Sequence, residues 1–220
     1  MHHAGPVSAR RVGARSVIPL FPLGTVLVPG LVLPLHIFEP RYRQMVADAL
    51  KGDRMIGMVL LREGWQADYQ GRPPIYPVGC SGVITHVERM ADGRYNLVLR
   101  GIDRFRVMAE DHERPYRRAT VDVLRDLPID ATERRALHDR RARLEALIAP
   151  SLERGAEAPL TSAMPDEDFI NALAQYMDLE PVEKQALLEM DRIVERADAL
   201  VELLEMKLLL ARTPGGSRWA

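Results

Sequence analysis

A chain of 220 residues with 47% apolar and 28% charged side chains has the balance of a globular fold and enough length to bury a sizeable core in one or two domains. Its formal charge of −1 argues against a dedicated nucleic-acid binder, which carries strong positive charge. The single cysteine, Cys80, excludes an intramolecular disulfide and a cysteine-based metal cluster and suits a reducing cytoplasm. No apolar stretch free of Pro and charge reaches the roughly 18 residues of a membrane helix.

Residues 1–15 carry Arg10, Arg11 and Arg15 but no apolar run, so they read as a flexible tail and not a secretory signal. Residues 213–220 read as a second tail. From Val17 to Tyr42, Pro19, Pro22, Pro29, Pro34 and Pro40 interrupt a long apolar run. Each fixes its own φ, removes a backbone donor and holds its predecessor extended. The segment is therefore read as short strands and a Pro29-Gly30 turn. It closes on a helix start at Glu39-Pro40, where a missing N–H costs nothing. Tyr42, Met45, Val46, Ala49 and Leu50 then recur at helical spacing, with Gly52 as the expected stop.

Met55 to Leu61 is a continuous apolar run of strand length, expected to be buried on both faces. Val83–Met90 and Tyr95–Arg100 flank Ala91-Asp92-Gly93-Arg94, a hairpin signal. Pairing about that turn sets Val87 against Val98 and Met90 against Tyr95. It also puts His86 and Glu88 on the face of Tyr95, Leu97 and Leu99, so that either the face is only partly buried or a bulge shifts the register. Arg104–Ala109 is a further strand, with Phe105, Val107 and Ala109 inward and Arg104 and Arg106 opposite. Arg118–Leu124 is the next, with Ala119, Val121 and Val123 on one face. Together these predict a small, mostly antiparallel barrel with one early helix.

Beyond Leu127-Pro128 the pattern is helical. Asp130 and Glu133 form a capping-box variant, followed by a stripe of Leu137, Leu144, Leu147 and Ile148. Asp166, Glu167 and Asp168 suit a first helical turn better than a cation site, with Phe169, Leu173, Tyr176 and Met177 following. Pro181 opens a short helix through Leu188. A last helix from Asp191 carries Ile193, Ala197, Leu200, Val201, Leu204 and Leu208. The expected organisation is α+β: a barrel domain over 16–127, then a helical bundle subdomain over 128–212.

Pro19-Leu-Phe-Pro22, Val28-Pro-Gly30, Leu33-Pro-Leu35, Phe38-Glu-Pro-Arg-Tyr42 and Gly101-Ile-Asp-Arg-Phe105 occur in the order and spacing of a known family. Over roughly residues 16–211 the chain resembles the substrate-binding N-terminal domain of Lon proteases in its stand-alone bacterial form. That resemblance implies a PUA-like pseudo-barrel with a helical subdomain, and a role in capturing polypeptide. The chain lacks the G-x-x-x-x-G-K-[ST] loop that cradles ATP phosphates. It is therefore expected to be a non-enzymatic polypeptide-binding module, an adaptor or regulator without ATPase or peptidase domains.

No catalytic, cofactor or metal residues are expected. His2, His3, His36, His86, His112 and His138 show no metal-ligand spacing, and Cys80 reads as a small core residue. Unfolded or extended polypeptide, brought to a protease system, is the expected partner, with Leu31, Val32, Leu33 and Tyr116 as candidate contacts. Glu39 beside apolar Ile37-Phe38 calls for a cation, and Arg104 is the expected ion-pair partner. RNA binding is the alternative, because PUA-like folds include RNA readers and Arg94, Arg100, Arg104, Arg106, Arg117 and Arg118 cluster in the strand region. Interleaved acidic residues and sparse aromatics rank it second. The apolar last helix leaves a homodimer open.

Overall fold

In a computed structural model that describes residues 15–152, 160, 161 and 163–212, the proline-rich opening forms two strands, β1 (Arg15–Leu23) and β2 (Val32–Ile37). Apart from Arg15, the two stretches read as tails lie outside the described residues. Pro19 pairs with Arg118 and Pro22 with Val59, each on one side of β1 only. A proline without an N–H is tolerated where one flank of a strand is unpaired. Helix α1 (Pro40–Ala49) starts where expected, with Pro40 in its first turn and Tyr42, Met45, Val46 and Ala49 buried. Its stop differs: Gly52 is ordinary, and Arg54 takes the left-handed φ of 59°.

β3 (Met55–Leu61) is buried at every position. β4 (Ile75–Arg89), β5 (Tyr95–Asp111) and β6 (Arg117–Leu124) complete the sheet, in the order β2-β5-β4-β3-β1-β6 with β6 also paired to β5. The ring β1-β3-β4-β5-β6 is thus closed, and β2 hangs from the first half of β5 as an extra strand. All pairs are antiparallel except β1 with β3.

The hairpin pairs one residue away from the expected register: Val87 faces Leu97 and Arg89 faces Tyr95. The cause is the turn. Met90 N donates to Arg94 O (2.9 Å), Gly93 N donates to Met90 O (2.9 Å), and Gly93 sits at φ 82°, so the loop has three residues with glycine in the left-handed position. A second irregularity between Ile84 and His86 then resolves the awkward face. His86 lies against Val98 and Glu88 against Asn96, while Leu97 and Leu99 turn into the core.

Phe105 is buried as expected, but so is Arg104 (2% exposed), and Ala109 is exposed. The face of β5 opposite Phe105 is covered by α4 (Pro181–Glu189), where Arg104 Nη1 donates to Leu188 O (2.9 Å) and Gln185 Nε2 donates to Val78 O (2.9 Å). Leu188 joins the core formed by Ile37, Met45, Met58, Cys80 and Leu99. The barrel unit accordingly runs to Arg125 and takes in Glu180–Leu188, which the sequence reading had placed with the helical subdomain.

The segment 62–74 between β3 and β4 is strapped to the barrel by arginines. Arg41 donates to Tyr69 O and Gln70 O, Arg72 to Glu110 and Asp111 O, and Arg117 to Pro73 O. Burial pushes the Glu110 carboxyl up. The hydrogen bond and charge of Arg117, aided by Arg72, outweigh that and hold it below the usual value of 4.5. A depressed acid contributes stability that is complete above its unfolded-state value and is lost as pH falls through the folded one. Acid titration of the folded protein is therefore expected to show a loss of stability that begins near pH 4.5 and deepens below it. In Glu110→Gln that pH-dependent component should vanish, a difference measurable by urea unfolding at pH 7 and below 4.5.

The other unit comprises Asp126–Leu179 and the chain from Glu189 onward, and holds α2 (Ala131–Leu152), α3 (Asp166–Tyr176) and α5 (Ile193–Arg212). The capping box forms as expected: Glu133 N donates to Asp130 Oδ1 (2.8 Å) and Asp130 N to Glu133 Oε2 (3.0 Å). Leu137, Leu144, Ile148, Phe169, Leu173, Ile193, Ala197, Leu200 and Leu204 are buried. Arg196, 1% exposed, donates to Asn171 Oδ1, Asp126 Oδ1 and Met190 O. Asp166, Glu167 and Asp168 occupy the first turn of α3 as expected, and Asp166 accepts from Arg141 at 2.9 Å.

Candidate functional site

Two of the side chains expected to act together are apart. Glu39, the residue before α1, accepts from Arg41 Nε (3.1 Å) and from the Tyr69 hydroxyl, while Arg104 is turned under α4. No Glu39–Arg104 ion pair forms. The nearer cation wins because Arg41, two residues on, reaches back over the helix start, and the middle of β5 lies beneath α4. Tyr116 is also displaced from its expected role. It is 5% exposed, packs in the core and donates to Asp48 Oδ2 at 3.0 Å, so its ring is closed to a partner.

The arginines invoked for RNA do not form a basic surface either. Arg104 and Arg117 are buried, Arg94 pairs with Asp92 (2.7 Å), and Arg118 pairs with Asp111 (2.9 Å). Arg100 and Arg106 alone of the six remain exposed without such partners. Cys80 is a fully buried core residue as expected, and among the described residues no group of three or more His, Cys, Asp and Glu could hold a metal ion. His2 and His3 lie outside the described residues. Among the described residues, no helix is long and apolar enough to cross a membrane.

Among the described residues of the barrel unit, β2 pairs along one flank only. Leu31 and Leu33 are half-buried, Leu33 against the core, whereas Val32 is 39% exposed. Exposure then alternates: Val32, Pro34 and His36 turn outward, while Leu33, Leu35 and Ile37 turn inward. Phe38, just past the strand, is 59% exposed, more than any other Phe, Tyr or Trp among the described residues, and lies against the His36 ring with centroids 6.2 Å apart. Beside them, Pro34, His36, His86, Asn96 and Val98 line a shallow groove.

The backbone of β2 is also half unused. Gly101 N donates to Leu31 O (2.8 Å) while Val32 faces Arg100. This phase directs the polar groups of Leu33, Leu35 and Ile37 at β5 and those of Val32, Pro34 and His36 away from it. Among the described residues no strand pairs with that outer edge. It offers two N–H donors and three carbonyls, Pro34 having none to donate.

His36 is fixed within a polar chain. Its Nδ1 lies 2.7 Å from Asn96 Oδ1, its Nε2 lies 3.4 Å from Arg94 Nη1, and Asn96 Nδ2 donates to Glu88 Oε2 at 3.3 Å. An acceptor on one side and a donor on the other place the imidazole proton on Nδ1. The strip thus has a rigid polar end and an apolar middle. Sequence reasoning reached Val32 but missed Pro34, His36, Phe38 and Val98. Their signal was the period-two alternation Val32-Pro34-His36, which the prolines hid inside an apolar run.

Comparison with known proteins agrees with this architecture. Residues 17–206 match the family of the ATP-dependent protease La (LON) substrate-binding domain. The chain is 31% identical over 196 residues to Lon protease 2 of Myxococcus xanthus and 28% identical over 207 residues to the Lon protease of Anaeromyxobacter dehalogenans. These alignments take in 87% and 92% of this chain and 24% of each relative, so the chain spans about a quarter of the length of the proteins it matches. Among solved structures, the N-terminal domain of the Mycobacterium avium complex Lon protease is similar with a TM-score of 0.68 at 18% identity, over 86% of this chain and 98% of that one. A Lon N-terminal domain protein from Xanthomonas campestris is similar at 25% identity with a TM-score of 0.58, over 90% of this chain and 99% of that one. With a match reaching from β1 into α5, the barrel with its appended strand and the helices after it belong to the Lon substrate-binding domain family.

Proposed function

We propose that this chain is a cytoplasmic binding module that holds unfolded or extended polypeptide on the β2 strip and leaves bond cleavage to other domains or proteins of a protease system. The observation that supports this reading best is the coincidence, on one strand, of exposed apolar side chains (Val32, Pro34 and nearby Phe38) with an unpaired backbone edge. Apolar contact without shape demands and main-chain hydrogen bonds without sequence demands are what a binder of varied polypeptides needs. Family membership supports the same role.

Fluorescence anisotropy with a reduced, carboxymethylated protein as the probe tests it. The double variant Val32→Ser, Phe38→Ser removes apolar surface without touching the core. It is expected to weaken binding by about tenfold, which corresponds to ~1.4 kcal/mol. Unchanged affinity in the double variant, or tight salt-sensitive binding of single-stranded RNA with none of unfolded protein, would reject this site and this role.

A further inference from the structure

On the same strip, and resting on the reading above, we infer a charge code: the β2 edge takes an extended segment as an added strand, and that segment carries an internal acidic side chain two residues from an apolar one. The first observation is Arg100. It is exposed, faces Val32 across the β2–β5 pair, and has neither ion-pair nor hydrogen-bond partner among the described residues. Arg94, at the opposite end of the strip beside His36, is by contrast held by Asp92 and His36.

The second observation is the order of groups along the face. Side chains two apart on a strand share a face at a spacing of about 6.7 Å. Arg100, Val98 and Asn96 are therefore successive on β5, with Val32, Pro34 and His36 beside them on β2. One end is cationic, the middle is the apolar Pro34–Val98 groove, and the other end carries the exposed carboxylate of Glu88 bound to Asn96. A strand added outside β2 lies one spacing of about 4.8 Å from it, so the long Arg100 side chain reaches past Val32 to the incoming residue. A carboxylate is attracted at that end, whereas at the other end the one nearby cation, Arg94, is already neutralised by Asp92 and Glu88 adds a further negative charge. The charges fix which end of the segment is acidic, and the groove fixes an apolar residue next to it.

The third observation concerns the backbone. The outward groups of Val32 and His36 each supply a donor and an acceptor, and Pro34 supplies an acceptor only. An incoming strand forms its hydrogen bonds at these three positions. Its carbonyl opposite Pro34 stays in water, a tolerable loss at an exposed edge.

The probes are end-capped, fluorescently labelled peptides with the core Glu-Val-Phe-Val-Thr, the reversed order Thr-Val-Phe-Val-Glu, and Lys in place of Glu in each. For whichever order binds better, the Glu form is expected to bind about tenfold tighter than the Lys form at low ionic strength. Arg100→Glu should invert that preference. Arg106→Glu, the same charge change on the far half of β5, should leave it intact. N-methylation of the three backbone amides that face β2 should abolish binding. Equal affinity of Glu and Lys peptides, or an unaltered preference in Arg100→Glu with an unchanged far-ultraviolet spectrum, overturns the charge code. Full binding by the N-methylated peptide overturns strand addition. If the peptides still bind and depend on Phe38, the polypeptide-binding role stands while this inference falls.

Discussion

Replacing Arg104 with alanine is expected to lower the unfolding free energy by about 3–5 kcal/mol, combining the loss of a large buried side chain with a carbonyl left unsatisfied in the core. Arg104 is among the largest fully buried side chains of the molecule and donates to the Leu188 carbonyl near the end of α4. A cation at a helix C-terminus is favoured by the exposed carbonyls there, and inside the protein little water screens it. Arg104→Met keeps most of the stem's volume and should cost roughly half as much. Urea unfolding gives the totals. Hydrogen exchange at the α4 amides shows the place: in Arg104→Ala they should exchange faster than those of β3. Equal protection of α4 in the variant and the parent would show that Arg104 does not hold this helix.

Gly101→Ala is the second change expected to be large, about 3 kcal/mol, at the upper end of the cost of overpacking. A Cβ built on Gly101 would stand 2.3 Å from the Val28 carbonyl oxygen and 3.2 Å from Cys80 Sγ. The oxygen belongs to the backbone of the Pro29-Gly30 turn, which is itself tied to β5 through Gly30 N to Gly101 O (3.0 Å), so it cannot swing aside as a side chain would. Gly24 is the control. No atom lies within 4 Å of its built Cβ, and Gly24→Ala should stay within about 0.5 kcal/mol of the parent. Thermal unfolding of the two variants side by side separates the steric term from any general effect of losing a glycine.

Both predictions fall in one short motif, Gly101-Ile-Asp-Arg-Phe105, and it marks where the sequence was legible and where it was not. Phe105 was readable as an inward residue from strand alternation. The same alternation placed Arg104 on the opposite face but did not show what lies over it, because a strand pattern reports which face a residue takes and not what covers that face. The cover arrives from α4, with two other helices between it and β6 in the chain, and no local pattern announces it. For the same reason Glu39 was matched to the wrong arginine: the nearest cation in space was also the nearest in sequence, Arg41.

Elements whose chemistry is local were readable in full. Pro40 at a helix start, the unbroken Met55–Leu61 run and the reciprocal Asp130–Glu133 cap each work within a few residues of themselves. The hairpin was readable as a hairpin but not in register, since Ala91-Asp92-Gly93-Arg94 admits more than one loop length and only the left-handed φ of Gly93 decides. The candidate site was half legible. Val32 was found, but Tyr116 was misplaced because a tyrosine beside a proline break reads as exposed. The open edge of β2 is a property of sheet order, which pairing alone reveals.

The return of α4 to the barrel has a consequence for how the molecule is made. During synthesis every strand of the ring leaves the ribosome before the helix that shields Arg104 and completes the core exists. Until Leu188 emerges, the nascent barrel carries a buried-type cation and an uncovered apolar face. A cut at the apparent border after β6 would make that transient condition permanent, so the smallest autonomous form of this barrel must include a piece of chain that lies beyond its neighbour.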